Sequence, residues 1–403
     1  MAFYEENPQG IGKADLVAAI LSYNDADSIG VAVERVSRGL KDHFGDRNAV
    51  LINCDSHSVD GTREAFFQAP SDVPRIYLST ETGGSGKGLS LRNLFEKVRQ
   101  LEAKAVLVLE CAIDNLTPYW VAALAGPLFK GTAFVQPLYV RHKYEAPLTS
   151  ALVYPLSRCL YGRRCRQLGS GEVAFTGAMA ETFLNAPGWS DAVSSSGIDV
   201  WMGMVAMTAR VPICQTVMHA PRLRRSKGQA PELAPQFRRV LTVLFDLMVA
   251  YGDFWKRVKW SKPTGLFGMN GRETEVPPTI DVKVARLHAQ FLEGFAAYEE
   301  TWRKIFEPAT FNKLMEVRSL TPEHFTLPSQ TWATMLFDGA VAYRDADAGA
   351  RAALIDCFLP LYLAKVVSYV KRTERMSIQQ AEDYVEAICE VFEENKRYLI
   401  DRW

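Results

Sequence analysis

The stretch LVAAILSYNDADSIGVAVERVSRGL at residues 16–40 decides the fold class of this chain. Its first part, 16–22, is an apolar run of the length of a buried strand, and a helical pattern follows at 31–40. The alternation then repeats, with strand-like runs at 49–53, 75–79, 105–109 and 133–140 and helix-like segments at 61–68 and 89–104. Strands that alternate with helices predict a mainly parallel sheet with right-handed crossovers, so the first half is predicted to be an α/β domain.

From about residue 235 onward the pattern is helical. Large apolar side chains recur three and four positions apart, most clearly at 236–251, 282–306, 330–342 and 378–398. The segment 262–279 contains Gly and Pro and is predicted to be a long loop. A chain of 403 residues is too long for one compact core. We therefore predict two domains, an α/β domain at 1–230 and an all-helical domain at 231–403.

The composition predicts a cytoplasmic globular protein. Lys and Arg together number 46, as do Asp and Glu, so no net field draws the chain to nucleic acid or to an anionic membrane. The seven cysteines lack CxxC spacing, which predicts reduced thiols. Apolar runs at 240–251 and 354–370 contain charged residues and fall short of the ~20 apolar residues of a membrane span, so both are predicted to be buried helices. The N-terminal MAFYEENPQG lacks the apolar core of a signal peptide.

Polar segments follow the predicted strands, at the edge where parallel sheets bind ligands. In NCDSHSVDGT at 53–62, Asp55 could accept hydrogen bonds from a nucleobase or a ribose, or could serve the turn alone. In TGGSGKG at 82–88, backbone N–H groups could wrap a diphosphate while Lys87 adds positive charge. That segment is not a Walker A loop, because Gly88 stands where Ser or Thr should hold Mg²⁺, and a plain surface loop is the alternative.

Two carboxylates, Glu110 and Asp114, follow the fourth predicted strand. Nucleotide-sugar enzymes often place two carboxylates one residue apart at this point, where they hold a divalent metal against the donor diphosphate. In this chain Ala112 occupies the position of the second carboxylate. The segment is therefore a poor metal site, and Asp114 could simply start the following turn.

Further candidates lie toward the predicted domain boundary. The glycines of GSGE at 169–172 allow close backbone approach, although an ordinary turn explains them as well. Asp199 in GIDVW at 197–201 could cap a helix or face a site. A basic cluster could be a solvated face or, at a cleft, a phosphate or carboxylate site, and its members are Arg222, Arg224, Arg225 and Lys227.

Taken in order, several segments resemble the GT-A glycosyltransferase family that includes glucosyl-3-phosphoglycerate synthase and mannosylglycerate synthase. They are SYNDADSI at 22–29, NCDSHSVDGT at 53–62, GSGKG at 84–88, LYGRRCRQLGSGE at 160–172 and GIDVW at 197–201. The similarity continues into 235–255 and so covers most of the chain. It implies a GT-A fold, which is a Rossmann-like, mainly parallel nucleotide-sugar domain, followed by a helical C-terminal domain.

The resemblance also implies a retaining transfer of a hexose from a UDP- or GDP-type sugar to a small hydroxyl acceptor, polar or acidic, such as glycerate. Carried over by position, the residues that would line the nucleotide pocket are Ser22, Tyr23, Asn24 and Asp55. Those that would approach the diphosphate or the sugar are Gly86, Lys87 and Gly88. Those that would face the donor sugar are Gln167, Gly171 and Glu172. Asp199 would lie near the sugar and the acceptor.

The chain departs from the family at its metal positions. The family's Asp-x-Asp appears here as Glu110-Cys111-Ala112, and the family's metal-binding histidine aligns with Arg224, with His219 displaced by five residues. The metal neutralises charge that builds on the diphosphate, a task that a fixed arginine could perform. We predict a metal-independent transferase that uses Arg224 with Asp199 and Glu172, supported by Arg222 or Lys87. An Mg²⁺ or Mn²⁺ ion on Glu110 is the weaker alternative.

Two other functions are consistent with the sequence. The metal-site substitutions also suggest a non-catalytic sensor or scaffold that binds a nucleotide sugar without turnover. An unrelated kinase or dehydrogenase is disfavoured, because neither a complete P-loop nor a well-placed GxGxxG is present. The helical half could shape an acceptor pocket, or could mediate self-association into a homo-oligomer.

Overall fold

The computed structural model describes residues 3–80, 86–225, 233–269 and 271–403. Its strands are β1 (Tyr4–Glu6), β2 (Leu16–Ser22), β3 (Ala49–Asp55), β4 (Arg75–Ser79), β5 (Ala105–Glu110), β6 (Phe134–Leu138), β7 (Arg163–Arg164), β8 (Val173–Thr176), β9 (Ile213–Val217), β10 (Lys262–Pro263) and β11 (Gly265–Phe267).

The first helices accompany these strands and are α1 (Ile29–Phe44), α2 (Thr62–Gln68), α3 (Lys87–Gln100), α4 (Pro118–Ala125), α5 (Tyr154–Tyr161), α6 (Gly177–Asn185) and α7 (Ile198–Thr208). The later helices are α8 (Leu233–Ala250), α9 (Gly252–Trp255), α10 (Val284–Ile305), α11 (Pro308–Ser319), α12 (Ser329–Asp345), α13 (Ala348–Thr373), α14 (Ile378–Glu394) and α15 (Lys396–Arg402).

Nine strands form one sheet in the order β1-β4-β3-β2-β5-β8-β6-β9-β11. The neighbours among β4, β3, β2 and β5 pair in parallel, and so do β6, β9 and β11. Only β1 and β8 run antiparallel to their neighbours. The predicted fold class, a mainly parallel α/β sheet followed by a helical region, is confirmed.

The stretch at 16–40 folds as its pattern predicts. Every residue of β2 is buried, because helices cover both faces of the sheet at its centre. In α1 the buried side chains recur at helical spacing, among them Val33, Val36 and Leu40. Full burial of such a side chain contributes about 1.5–3 kcal/mol, which fixes α1 against the sheet.

The topology brings several chain segments to one edge of the sheet. Parallel strands β2, β3 and β5 end there at Ser22, Asp55 and Glu110. Strand β8 runs the opposite way and pairs Val173 with Val108 of β5, so the residues just before β8 reach the same edge. The segment that precedes β8 includes Glu172, which therefore lies beside the end of β5.

The described chain divides into two compact units. The sheet unit comprises Met1–Val140, Gln167–Pro231 and Thr264–Pro277, and the helical unit comprises Arg141–Arg166, Glu232–Pro263 and Pro278–Trp403. The single boundary predicted at 230/231 therefore does not describe the path of the chain. The early segment 141–166 joins the helical unit because Arg158, 1% exposed, pairs with Glu386 and Glu393 of α14.

Two details of the second half differ from the prediction. The helical unit is not all-helical, since β10 pairs in parallel with β7. The segment predicted as a long loop, 262–279, contains β10 and β11, and β11 adds an edge strand beside β9. Both strands are short and lack a periodic apolar pattern, which is the signal that identifies a strand in a sequence.

The apolar run at 354–370 lies in α13. By length and composition alone α13 could cross a membrane, but 83% of its apolar window is buried inside the protein. It packs against α10, where Gly294 leaves room for Pro360, and an added Cβ at Gly294 would lie 2.1 Å from Pro360 Cγ. This is the packing expected of the predicted buried helix.

Candidate active site

Five charged side chains meet at the carboxyl edge of the sheet, and we call them the charge cluster. They are Lys87, Glu110, Glu172, Asp199 and Arg222. Each comes from a different segment: the start of α3, the end of β5, the turn before β8, the first turn of α7 and the segment after β9. Such an edge is where doubly wound sheets hold their ligands.

Lys87 is the hub of one half of the cluster. Its Nζ donates to Glu110 Oε1 at 2.7 Å, to the Asp199 carboxylate at 2.8 Å and to the carbonyl of Gly171 at 2.9 Å. The side chain is 15% exposed. An ammonium has three N–H donors, so these acceptors use all of them. Lys87 therefore fixes the position of protein groups and retains no donor for a ligand.

Arg222 is the hub of the other half. Its Nε and Nη2 donate to the two oxygens of Glu172 at 2.7 and 2.9 Å, in the bidentate geometry that suits a carboxylate. Nη2 also donates to Glu110 Oε2 at 2.6 Å. One guanidinium thus joins two carboxylates, one of which, Glu172, has a fully buried side chain.

Glu172 is held from a second side by Tyr139, whose hydroxyl donates to Oε2 at 2.8 Å. The predicted sugar-facing residue Gln167 holds Tyr139 in turn. The backbone N–H of Tyr139 donates to Gln167 Oε1 at 3.0 Å, and Gln167 Nε2 donates to the Tyr139 carbonyl at 2.9 Å. The Gln167 amide therefore serves the position of Tyr139, a residue that sequence reasoning did not identify.

The cluster shifts the pKa values of its members. Burial raises the pKa of Asp199 to about 6, and the attraction of Lys87 only partly offsets this. Burial also acts to raise the pKa of Glu110, but the charges of Lys87 and Arg222 outweigh it and hold that pKa well below its usual range. Burial lowers the pKa of Lys87, yet the charges of Asp199 and Glu110 outweigh it and raise that pKa. Glu110 and Lys87 are therefore a charged pair at neutral pH, while Asp199 exchanges its proton near pH 6.

The pKa of Asp199 predicts a pH dependence of stability. Below the usual Asp pKa of 3.8 both folded and unfolded states hold the proton, and between that value and about pH 6 only the folded state holds it. Stability should therefore fall as pH rises through this window, by an amount on the order of 2–3 kcal/mol, and stay lower above it. The measurement is the difference in unfolding free energy between wild type and Asp199→Asn from pH 4 to 7. A difference that does not change with pH would contradict the assignment.

Arg224 lies at the exposed side of the cluster. Its side chain is 55% exposed, and its Nη2 lies 3.6 Å from Glu110 Oε2. The backbone holds it there, because Arg224 forms an antiparallel bridge with Ile113 and the N–H of Arg225 donates to the Ala112 carbonyl at 2.8 Å. The predicted replacement for the metal-binding histidine thus lies beside the position of the missing second carboxylate.

Gly171 is required by the cluster itself. Its φ is +103°, and an added Cβ would lie 2.5 Å from Arg222 Nη2 and 3.1 Å from Glu110 Oε1. Gly171→Ala should therefore both strain the backbone and push the ion pair apart, at a cost of about 2 kcal/mol in unfolding free energy. Urea unfolding measures this, and stability equal to that of wild type would contradict the described packing.

Two of the predicted nucleotide residues, Ser22 and Asp55, are buried and hydrogen-bonded to each other. Ser22 and Ser58 donate from their hydroxyls to Asp55 Oδ1 at 2.7 and 2.6 Å, and the Ser58 N–H donates to Asp55 Oδ2 at 2.6 Å. Asp55 is fully buried. Its carboxylate thus orders the loop after β3, and its contact with a nucleotide stays a prediction.

Tyr23 and Asn24 follow Ser22 in the loop after β2. Tyr23 is 55% exposed. Asn24 has φ +50°, a left-handed conformation that Asn tolerates, and its side-chain oxygen accepts the Val59 N–H at 3.1 Å. Tyr23 is therefore the member of this predicted group whose side chain is largely exposed.

Gly86 and Gly88 lie against another backbone segment, which leaves no room for a side chain at either position. An added Cβ would lie 2.6 Å from the Ser194 carbonyl at Gly86 and 2.0 Å from the Val193 carbonyl at Gly88. Chain segment 193–195 thus accounts for the absence of a side chain at both positions, and the approach of these glycines to a diphosphate stays a prediction. The rest of the glycine-rich segment, 81–85, and Lys227 lie outside the described residues.

The residues at this edge do not fit a divalent metal. Glu110, the predicted ligand, has one oxygen bonded to Lys87 and the other to Arg222. Within the described ranges no group of three His, Cys, Asp or Glu side chains is arranged to hold a metal. His219 is also engaged elsewhere, since its Nε2 bonds the Gly268 carbonyl at 2.7 Å.

Comparison with known proteins gives a likeness in structure only. No protein-family model and no curated protein matches the chain. Glucosyl-3-phosphoglycerate synthase from Mycobacterium tuberculosis, in complex with Mn²⁺, UDP and glucosyl-3-phosphoglycerate, is 20% identical, with 58% of this chain and 80% of that chain covered and a TM-score of 0.45. Another structure of that enzyme is 19% identical, with 59% of this chain and 81% of that chain covered and a TM-score of 0.44. A further mycobacterial protein is 20% identical, with 59% and 75% covered and a TM-score of 0.46.

The solved structures thus include the family that the sequence motifs resemble. Similarity at this level carries no argument about individual residues.

Proposed function

We propose that the chain is a glycosyltransferase that moves a hexose from a UDP- or GDP-type sugar to a small polar or acidic hydroxyl acceptor, with retention. The observation that carries the proposal is the charge cluster. It gathers cations and carboxylates, all of them at most 16% exposed, from five segments at the ligand-binding edge of a mainly parallel α/β sheet. Burying so many charges is costly and calls for a functional explanation.

The cluster supplies the two things that departure of a nucleoside diphosphate requires. Positive charge must face the leaving diphosphate, and Arg224, 55% exposed, is able to reach an anion there. A group must also orient the sugar or the acceptor hydroxyl, and Asp199, held by Lys87, can do so with a pKa of about 6. In a retaining transfer of this kind the leaving diphosphate itself assists the acceptor, so a protein nucleophile is not needed.

Donor binding and slow donor hydrolysis test the proposal. Thermal shift with UDP-, GDP- and ADP-sugars, with and without Mn²⁺ or Mg²⁺, should find a donor that raises the unfolding temperature. The purified protein should then release nucleoside diphosphate from that donor slowly without acceptor and faster with glycerate-like acceptors. Failure of every nucleotide sugar to bind, with or without metal, would reject the proposal.

A non-catalytic binder is the second candidate. It is favoured by one observation, namely that both oxygens of Glu110 and all three donors of Lys87 are used inside the protein. A donor that binds tightly, yet releases no diphosphate with any acceptor, would select this function. The cytoplasmic location and the homo-oligomer stay predictions from the sequence.

A further inference from the structure

We infer that Arg222 is a built-in cation that replaces a divalent metal at this edge, and that its free Nη1 end, together with Arg224, receives the pyrophosphate of the donor. The inference rests on the proposed function for the identity of the anion. It differs from the sequence prediction, in which Arg224 was the main cation and Arg222 only supported it.

The Arg222 guanidinium occupies the space between two carboxylates of the charge cluster. It bonds Glu172 through two nitrogens at 2.7 and 2.9 Å and Glu110 at 2.6 Å, so it lies between the two carboxylates that end β5 and precede β8. A divalent ion bound by the same carboxylates would have to displace it. Arginine is well suited to this position, because it stays charged and its planar fork matches carboxylates.

Lys87 and Arg222 differ in the number of N–H donors that remain for a ligand. Lys87 has none left, since three acceptors occupy its Nζ. Arg222 uses Nε and Nη2, and Nη1 donates no hydrogen bond to any residue that the structure describes. The Arg222 side chain is 14% exposed, and the half-exposed Arg224 lies beside the same Glu110 oxygen. Arg222 thus keeps one nitrogen for an anion, and the half-exposed guanidinium of Arg224 lies close enough to share it.

The surrounding backbone leaves space for the Arg222 guanidinium. Gly171 has no side chain, and a Cβ there would lie 2.5 Å from Nη2 and 3.1 Å from Cζ of Arg222. Tyr139 closes the far side of Glu172 with a hydrogen bond of 2.8 Å. The guanidinium is therefore held on several sides, as a preorganised charge should be.

Titration calorimetry with inorganic pyrophosphate and with the UDP- or GDP-sugar, both in excess EDTA, tests the anion site. We expect wild type to bind, and Arg224→Ala and Arg222→Lys each to weaken binding about tenfold or more. Arg99→Ala is the matched control, because Arg99 is 57% exposed and lies at the end of α3. Binding that appears only after Mn²⁺ is added would overturn the inference while leaving the proposed function intact.

Terbium luminescence tests, without any nucleotide, whether Arg222 occupies the place of a metal ion. Tyr139, hydrogen-bonded to Glu172, is placed to sensitise an ion bound there. Arg222→Ala should gain a Tb³⁺ site that wild type lacks, and Glu172→Gln in that background should abolish it. Arg222→Met, of similar length, serves if the alanine variant does not fold. A Tb³⁺ site at this edge in wild type, or none in a folded Arg222 variant, would overturn the inference.

Discussion

Lys87→Met is expected to lower the free energy of unfolding by about 3–5 kcal/mol. The substitution keeps the length of the side chain but removes the ammonium that bonds both Glu110 and Asp199. Those carboxylates are only 13% and 16% exposed, so water cannot replace the lost partner fully. The cost arises because Asp199 loses its ion-pair partner and Glu110 is left with its arginine partners alone. Urea unfolding at pH 7 measures it.

Two controls identify the cause of the loss. Lys13→Met removes an ion pair with Glu102 whose side chains are 74% and 67% exposed, and should leave stability unchanged within error. Adding Asp199→Asn to Lys87→Met should recover part of the loss, because it removes the carboxylate that loses its ion-pair partner, whereas Glu110 keeps Arg222. A Lys87→Met protein as stable as wild type would mean that the cluster is not formed in solution.

The sheet could be predicted from the sequence because its central strands are buried on both faces. Such strands are uninterrupted apolar runs, and the run at 16–22 matches β2 residue for residue. The alternation of strands and helices also predicted which edge of the sheet carries the charge cluster. The presence there of Glu110 and Asp199 was therefore predictable, since each stands next to an element of clear pattern.

The partners of these residues could not be predicted. Arg222 was one of several arginines in a basic segment, and nothing in that segment shows that it bonds Glu110 and Glu172 across the sheet. Gly88 has the neighbours of a phosphate loop, yet it contacts the Val193 carbonyl, a contact between segments far apart in the chain. Periodicity describes which face of an element is buried, whereas these roles depend on what a distant segment places against it.

The close contact between Gly88 and the Val193 carbonyl makes Gly88→Ala a direct test of how α3 packs against segment 193–195. Gly88 lies in the first turn of α3, where alanine should by helix propensity alone stabilise the protein by about 1 kcal/mol. The structure predicts the opposite sign. An added Cβ would lie 2.0 Å from the Val193 carbonyl oxygen and 2.8 Å from Ser194 backbone atoms, so the two segments must move apart. We expect a loss of about 3–4 kcal/mol, at or above the upper end for overpacking, because the obstacle is backbone that cannot rotate away.

Gly88→Ala should also disturb the charge cluster and weaken donor binding. The displaced segment leads directly into α7, which carries Asp199, and Gly88 follows Lys87 in the chain. Moving these segments apart lengthens the Lys87–Asp199 hydrogen bond of 2.8 Å, so donor binding should weaken at least about tenfold along with stability. Gly12→Ala is the matched control, since Gly12 has no left-handed φ and no atom within 4 Å of an added Cβ. A stabilised Gly88→Ala protein would show that propensity governs this position and that segment 193–195 does not press against α3.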